Sequence, residues 1–154
     1  KPLGIFTADC LPVLIYDPRV KVIGAIHAGR KGSEQSIILK VIREMERVYG
    51  SRPEELLAGI GPAIGGCCYE VDEDCIQPFM KMFPDKIDWF REGLPGKYFL
   101  NLMAVNKMQG EHAGLLRGNI FSMDHCTCCS TQNLFSYRRE GKTGRILTTI
   151  MLRP

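Results

Sequence analysis

Apolar, β-branched runs at Leu11–Tyr16 (LPVLIY) and Val20–His27 (VKVIGAIH) flank the polar triplet Asp17-Pro18-Arg19. That pattern predicts a β-hairpin, because Pro presets φ and Asp bonds its own backbone in a turn. Folding about Pro18-Arg19 sets Cys10 opposite His27, with Cβ atoms roughly 5 Å apart. A thiol beside an imidazole is either two ligands of a metal site or a Cys–His nucleophile pair.

The remaining pattern mixes strands and helices without strict βαβ alternation. Gly4–Phe6 reads as a strand and Ala28–Gly32 as a flexible basic loop. Ser33 should cap a helix running to Tyr49, with Ile37, Ile38, Val41, Ile42, Met45 and Val48 on one face and Gly50 as its stop. Leu56–Ile60 is a short buried strand. Asp72 should cap a second helix to Met82, and Asn101–His112 forms a third with Leu102, Val105 and Met108 inward. Phe83–Lys97 is a connection marked only by Trp89. Asn119–Met123, Leu134–Tyr137 and Arg145–Leu152 read as strands, with a Cys-rich loop at Asp124–Asn133 and a turn at Glu140–Gly144. The expected fold class is α/β (α+β), a mixed-sheet sandwich.

Composition narrows the function classes. The 154 residues carry a net charge of +3 with acidic and basic positions interspersed, which gives no footprint for nucleic acid. The nearest basic cluster, Arg138-Arg139 with Lys142 and Arg145, suits a single phosphate. Seven cysteines, with adjacent pairs at Cys67-Cys68 and Cys128-Cys129, do not form a disulfide framework, so a reducing, cytoplasmic setting is expected. No apolar run approaches the ~18 residues of a membrane span, and no secretory pattern is visible. The chain opens at Lys1-Pro2 without Met, so a single domain over residues 1–154 lacking an N-terminal portion is the expectation.

Gly59–Gly65 follows a strand, but its G-x-G-x-x-x-G spacing, interrupted by Pro62, excludes a dinucleotide fingerprint. A glycine loop allowing close backbone approach to a ligand remains, with Gly61 and Gly65 as its candidates. Cys126-Thr127-Cys128-Cys129 contains a C-x-x-C. Cys67-Cys68 and His125 are available partners, yet the spacing fits no standard zinc pair, and buried or loop thiols are the preferred reading. Arg138 and Arg139 end an expected strand; a solvated turn is the plainer reading, although the guanidinium fork suits phosphate. His112 reads as a favourable cation at a helix C-terminus. Asp9 could accept a hydrogen bond or orient an imidazole.

TADCLPVLIYD, IGAIHAG, GIGPAIGGCCYEV, the Asn101-Leu102 stretch, Cys126-Thr127 and FSYRREGKTGR occur in this order. Together they resemble the bacterial polyphenol-oxidase or laccase-domain family, also called peptidoglycan editing factor and multifunctional purine nucleoside phosphorylase. The resemblance runs from about Gly4 to Leu152. It implies a mixed α/β sandwich shared in outline with bacterial toxin cysteine hydrolases. It also implies a site of two histidines and one cysteine holding zinc, or copper as first proposed. The family cysteine falls on Cys10 and one histidine on His27. The other histidine lies upstream, outside this chain, so the missing ligand is expected from an upstream segment or a homodimer partner. The family reads HAGWRG where this chain has His27-Ala28-Gly29-Arg30-Lys31-Gly32, which replaces a base-stacking aromatic with Arg30. Glu140 replaces an Asp.

The implied activity is phosphorolysis of adenosine, inosine or methylthioadenosine to base and ribose 1-phosphate, with adenosine deamination in the same pocket. Arg138, Arg139 and the Gly61–Gly66 amides are the candidate phosphate clamp. A metal-free hydrolase using Cys10 as nucleophile, a copper polyphenol oxidase, and a redox-sensing or interaction domain built on the Cys126–Cys129 loop are the alternatives.

Overall fold

A computed structural model describes residues 1–85, 88–130 and 133–153. Its centre is a four-stranded sheet of β2 (Leu11–Asp17), β3 (Val22–Ala28), β4 (Leu57–Ile60) and β8 (Ile120–Ser122), in the order β3-β2-β4-β8. The first two pairings are antiparallel and β4–β8 is parallel. Period-2 alternation sends Leu11, Val13 and Ile15 of β2, with Ile26 and Ala28 of β3, to one face. There they bury against Ile38, Ile42 and Met45 of α2 (Ile37–Tyr49). Gly50 ends that helix in the left-handed region, φ 64°, as a stop residue should.

The opposite face is covered by a two-stranded antiparallel ribbon of β1 (Leu3–Thr7) and β9 (Ile146–Ile150), which contacts β2 and β3. A second core lies between the sheet β5-β7-β6 (Glu70–Asp72, Lys97–Leu100, Phe90–Glu92), α3 (Glu73–Met82) and α4 (Leu102–His112). It is built from Val71, Ile76, Phe79, Leu100, Leu102, Val105 and the fully buried Trp89. Asn101 caps α4 by accepting a hydrogen bond from Ala104 N at 3.1 Å. The mixed α/β sandwich is therefore present. No helix among the described residues is long and apolar enough to cross a membrane.

Several local expectations are corrected. The hairpin register is shifted by two residues: Pro12 pairs with His27, and Leu11 with Ala28. The turn is longer than a Pro-Arg pivot. Asp17 Oδ1 accepts from Arg19 N (2.8 Å) and Val20 N (3.1 Å), and Lys21 closes the turn at φ 54°. The basic loop after His27 is instead a short helix, α1 (Arg30–Glu34), along which Arg30 pairs with Glu34. Ser33 is buried inside α1 rather than capping α2; left-handed Ser36 breaks the two helices apart. The connection after Phe83 contains β6. Leu134–Tyr137 forms no strand, because Ser136 caps a short helix α5 (Tyr137–Glu140) through Arg139 N at 3.2 Å. Lys86, Ile87, Thr131 and Gln132, which fall in the expected connections, lie outside the described residues.

Candidate active site

A two-residue shift preserves side-chain parity, so Cys10 and His27 stay on one face. Both line a cleft of about 460 Å³, with Phe6, Thr7, Asp9, Tyr69, Tyr137, Arg138 and Arg145 among its walls. Gly29 lies between them. A Cβ built there would sit 3.0 Å from Cys10 Sγ and 3.7 Å from His27 Cδ2. The glycine therefore leaves open the space toward which a thiol and an imidazole both project. That cradle and donor set fit a zinc or copper ion. His112 and His125 line other surfaces, so within the described residues the cleft brings one imidazole to Cys10.

Asp9 holds this region together. Its backbone adopts φ 84°, an uncommon conformation for a residue with a side chain. Its carboxylate accepts from Thr127 Oγ1 and from Arg138 N, both at 2.6 Å, and its carbonyl accepts from Ile64 N at 2.9 Å. Asp9 thus ties three loops together, and its oxygens are engaged there rather than on an imidazole. Burial raises the Cys10 thiol above its ordinary range; the Asp9 carboxylate adds to this and Arg145 opposes it. Burial also raises the Tyr69 hydroxyl, against Arg30 and Arg138.

Arg138 donates to Glu70 O at 3.0 Å and lies 5.3 Å from the Tyr69 ring centroid, with its remaining N–H groups at the cleft. Arg145 faces the same space. Arg139 does not: its guanidinium donates to Thr127 O, Cys128 O, Ser130 O and Leu134 O at 2.7–3.2 Å, which makes it a clamp of the Cys-rich loop. The glycine amides are committed elsewhere as well. Gly61 N donates to Pro12 O at 3.0 Å and Gly65 N to Cys126 Sγ at 3.2 Å. Arg139, Gly61 and Gly65 are not among the residues that line the cleft.

The exposed aromatics Phe6 and Tyr137, with half-buried Tyr69, were not anticipated as cleft residues. They reach it from three distant segments, and no local spacing signals that convergence. A second thiol group lies behind the Ile64–Tyr69 wall. The Sγ atoms of Cys67, Cys68, Cys126 and Cys129 lie within 4.8 Å of one another, an arrangement compatible with a metal ion.

A family model described as multi-copper polyphenol oxidoreductase laccase matches residues 1–153. The purine nucleoside phosphorylase YlmD of Geobacillus stearothermophilus is 34% identical over 151 residues, covering 96% of this chain and 55% of that protein. Adenosine deaminase RL5, from an unknown prokaryotic organism, is 33% identical over 150 residues, covering 96% of this chain and 57% of that protein. The crystal structure of YlmD from Geobacillus stearothermophilus matches with a TM-score of 0.95 at 33% identity, over 99% of this chain and 57% of that one. The chain spans just over half the length of these curated relatives.

Proposed function

Because this chain belongs to the multi-copper polyphenol oxidoreductase laccase family, we propose that its cleft serves a purine nucleoside phosphorylase. The substrates are adenosine, inosine or methylthioadenosine with phosphate, and adenosine deamination is a side activity of the same cleft. The names of the relatives support the reaction class. The observation that carries it is the convergence of Cys10 and His27 on the space left by Gly29, beside Arg138, Arg145 and two exposed aromatic rings.

Cys10 and His27 would hold zinc, and a catalytic zinc takes three protein ligands. The third donor would be a histidine from outside this chain, supplied by an upstream segment or by a homodimer partner. When bound, zinc supplies Lewis-acid polarisation at this end of the cleft. Arg138 and Arg145 present the charge-assisted donors that would orient phosphate toward C1′ of the ribose. As the C1′–O bond forms, the C1′–N9 bond breaks and the purine leaves, taking a proton. Phe6 and Tyr137 offer the apolar faces on which the base would pack, in place of the family tryptophan. Seven free cysteines support a reducing, cytoplasmic setting.

The metal-free hydrolase needs the Cys10 thiolate just as zinc ligation does, and alkylation of Cys10 in metal-free, active protein is the result that would favour it. Copper competes for the same Cys–His donors, and metal analysis of the purified complete protein separates it from zinc. The decisive assay incubates that protein with adenosine, with and without phosphate, and chromatographs the products. Adenine released only with phosphate supports phosphorolysis. Inosine in both arms would leave deamination alone, and neither product would overturn the reading.

A further inference from the structure

We propose that Cys67, Cys68, Cys126 and Cys129 form a second metal site, a closed tetrathiolate zinc centre that locks the inner wall of the cleft. It shares no donor with the Cys10–His27 site. Cys129 Sγ lies 3.1 Å from Cys68 Sγ and 3.4 Å from Cys67 Sγ, and all four sulfurs fall within 4.8 Å of one another. A tetrahedral zinc with Zn–S near 2.3 Å requires sulfur–sulfur edges of about 3.8 Å, in the middle of this spread. Adjacent cysteines can both face one point here because residues 66–68 form a turn rather than a strand.

The surroundings are built for sulfur. Gly65 N donates to Cys126 Sγ at 3.2 Å, and a side chain at Gly65 would crowd the cluster: a Cβ would lie 3.2 Å from both Cys126 Cβ and Cys67 Sγ. Cys68 N and Tyr69 N both donate to Gly65 O, which fixes the first pair of thiols. The second pair is fixed by a parallel bridge between Ala63 and Cys126, by Thr127 N donating to Ala63 O at 3.0 Å, and by Ser130 N donating to Cys126 O at 3.0 Å. Arg139, itself paired with Glu140, then holds the outer carbonyls of the same loop. Such supporting hydrogen bonds orient ligands before a metal arrives. Soft thiolate donors in a four-sulfur set select zinc among the common divalent ions.

Binding balances simply. Zinc(II) enters, each thiol that is still protonated releases its proton to solvent, four Zn–S bonds form, and the centre carries two negative charges with no change of oxidation state. Its consequence reaches the cleft. Ile64 and Tyr69 on one loop, and Thr127 on the other, meet the cleft directly or through Asp9. The ion would therefore couple two loops whose sequence separation is about sixty residues.

The test uses the complete protein carrying Cys10→Ala, purified under reducing conditions, with zinc counted by elemental analysis and native mass spectrometry. One zinc per chain is expected to remain. Exchange for cobalt(II) should then give the intense visible bands and thiolate charge-transfer absorption of a tetrahedral sulfur site. Adding Cys68→Ser and Cys129→Ser should abolish both. Should that variant fail to fold, the unaltered cysteines serve instead: Cys67, Cys68, Cys126 and Cys129 should resist alkylation until a chelator is added. A metal-free Cys10→Ala protein whose four thiols alkylate freely would overturn the proposal. So would a Cys68–Cys129 disulfide that a chelator does not open.

Discussion

One loop separates two cysteine environments of opposite character. On its outer side Cys10 meets a single imidazole in an open cleft lined by arginines and aromatic rings. On its other side four thiols, those of Cys67 and Cys129 exposed, lie within 4.8 Å of one another, with Arg139 and backbone amides beside them. Burial and the Asp9 carboxylate raise the Cys10 thiol. Burial also works against ionisation of Cys126, but N–H groups of Gly65, Cys129 and Cys128 and the Cys67 thiol outweigh it and bring the group down to about 7. Burial first, and then its contacts with Cys129 and Cys126, push Cys67 up to about 11. The same residue type thus has two chemistries: an unsaturated site leaves room for a reactant, whereas a saturated one fixes structure.

The contrast breaks most sharply at Cys10. Cys10→Ala should cut phosphate-dependent adenine release by more than about 100-fold, since losing a ligand exceeds the 10–100-fold cost of disturbing a ligand's support. Arg138→Ala should raise the KM for phosphate by roughly 10- to 100-fold, the equivalent of ~1.5–3 kcal/mol for a charged hydrogen bond; initial rates against phosphate concentration measure it. The double replacement Cys68→Ser with Cys129→Ser should leave turnover chemistry in place yet lower Tm. A loss of ~2–3 kcal/mol corresponds to roughly 4–12 °C for a domain of this size. The smallest effect is one of pH. A thiolate, not a thiol, is alkylated, so in metal-free protein Cys126 labelling should be half-maximal near pH 7 and fall as the pH drops through that value. Cys10, displaced in the other direction, should label only at alkaline pH; peptide mass mapping distinguishes the two.

Much of this was legible in the residues, for identifiable reasons. The β2–β3 hairpin follows from its apolar runs, and α2 from its stripe and Gly50. The register missed by two because Lys21 takes a positive φ without being glycine, which lengthens the turn invisibly. That error was harmless to the Cys10–His27 pairing, since only an odd shift moves a side chain to the other face. Leu134–Tyr137 looked like a strand from its apolar residues, but no partner strand among the described residues pairs with it, and the Ser136 cap wins. Arg139, Gly61 and Gly65 were assigned to phosphate from residue type alone. The proline and sulfur partners of the two glycines come from remote segments, and the carbonyls that hold Arg139 belong to the loop just before it, where no side-chain pattern marks them. The four-thiol cluster was legible only as a set of available partners, and loop thiols were the preferred reading, because each loop carries half of it and the spacing matches no standard zinc pair.

The most direct test counts zinc in the complete protein after Cys68→Ser and Cys129→Ser have removed the inner cluster. One zinc per chain should remain, and it should disappear when either Cys10→Ala or His27→Ala is added. Zinc retained at full stoichiometry after both of those replacements would contradict a metal centre in the cleft.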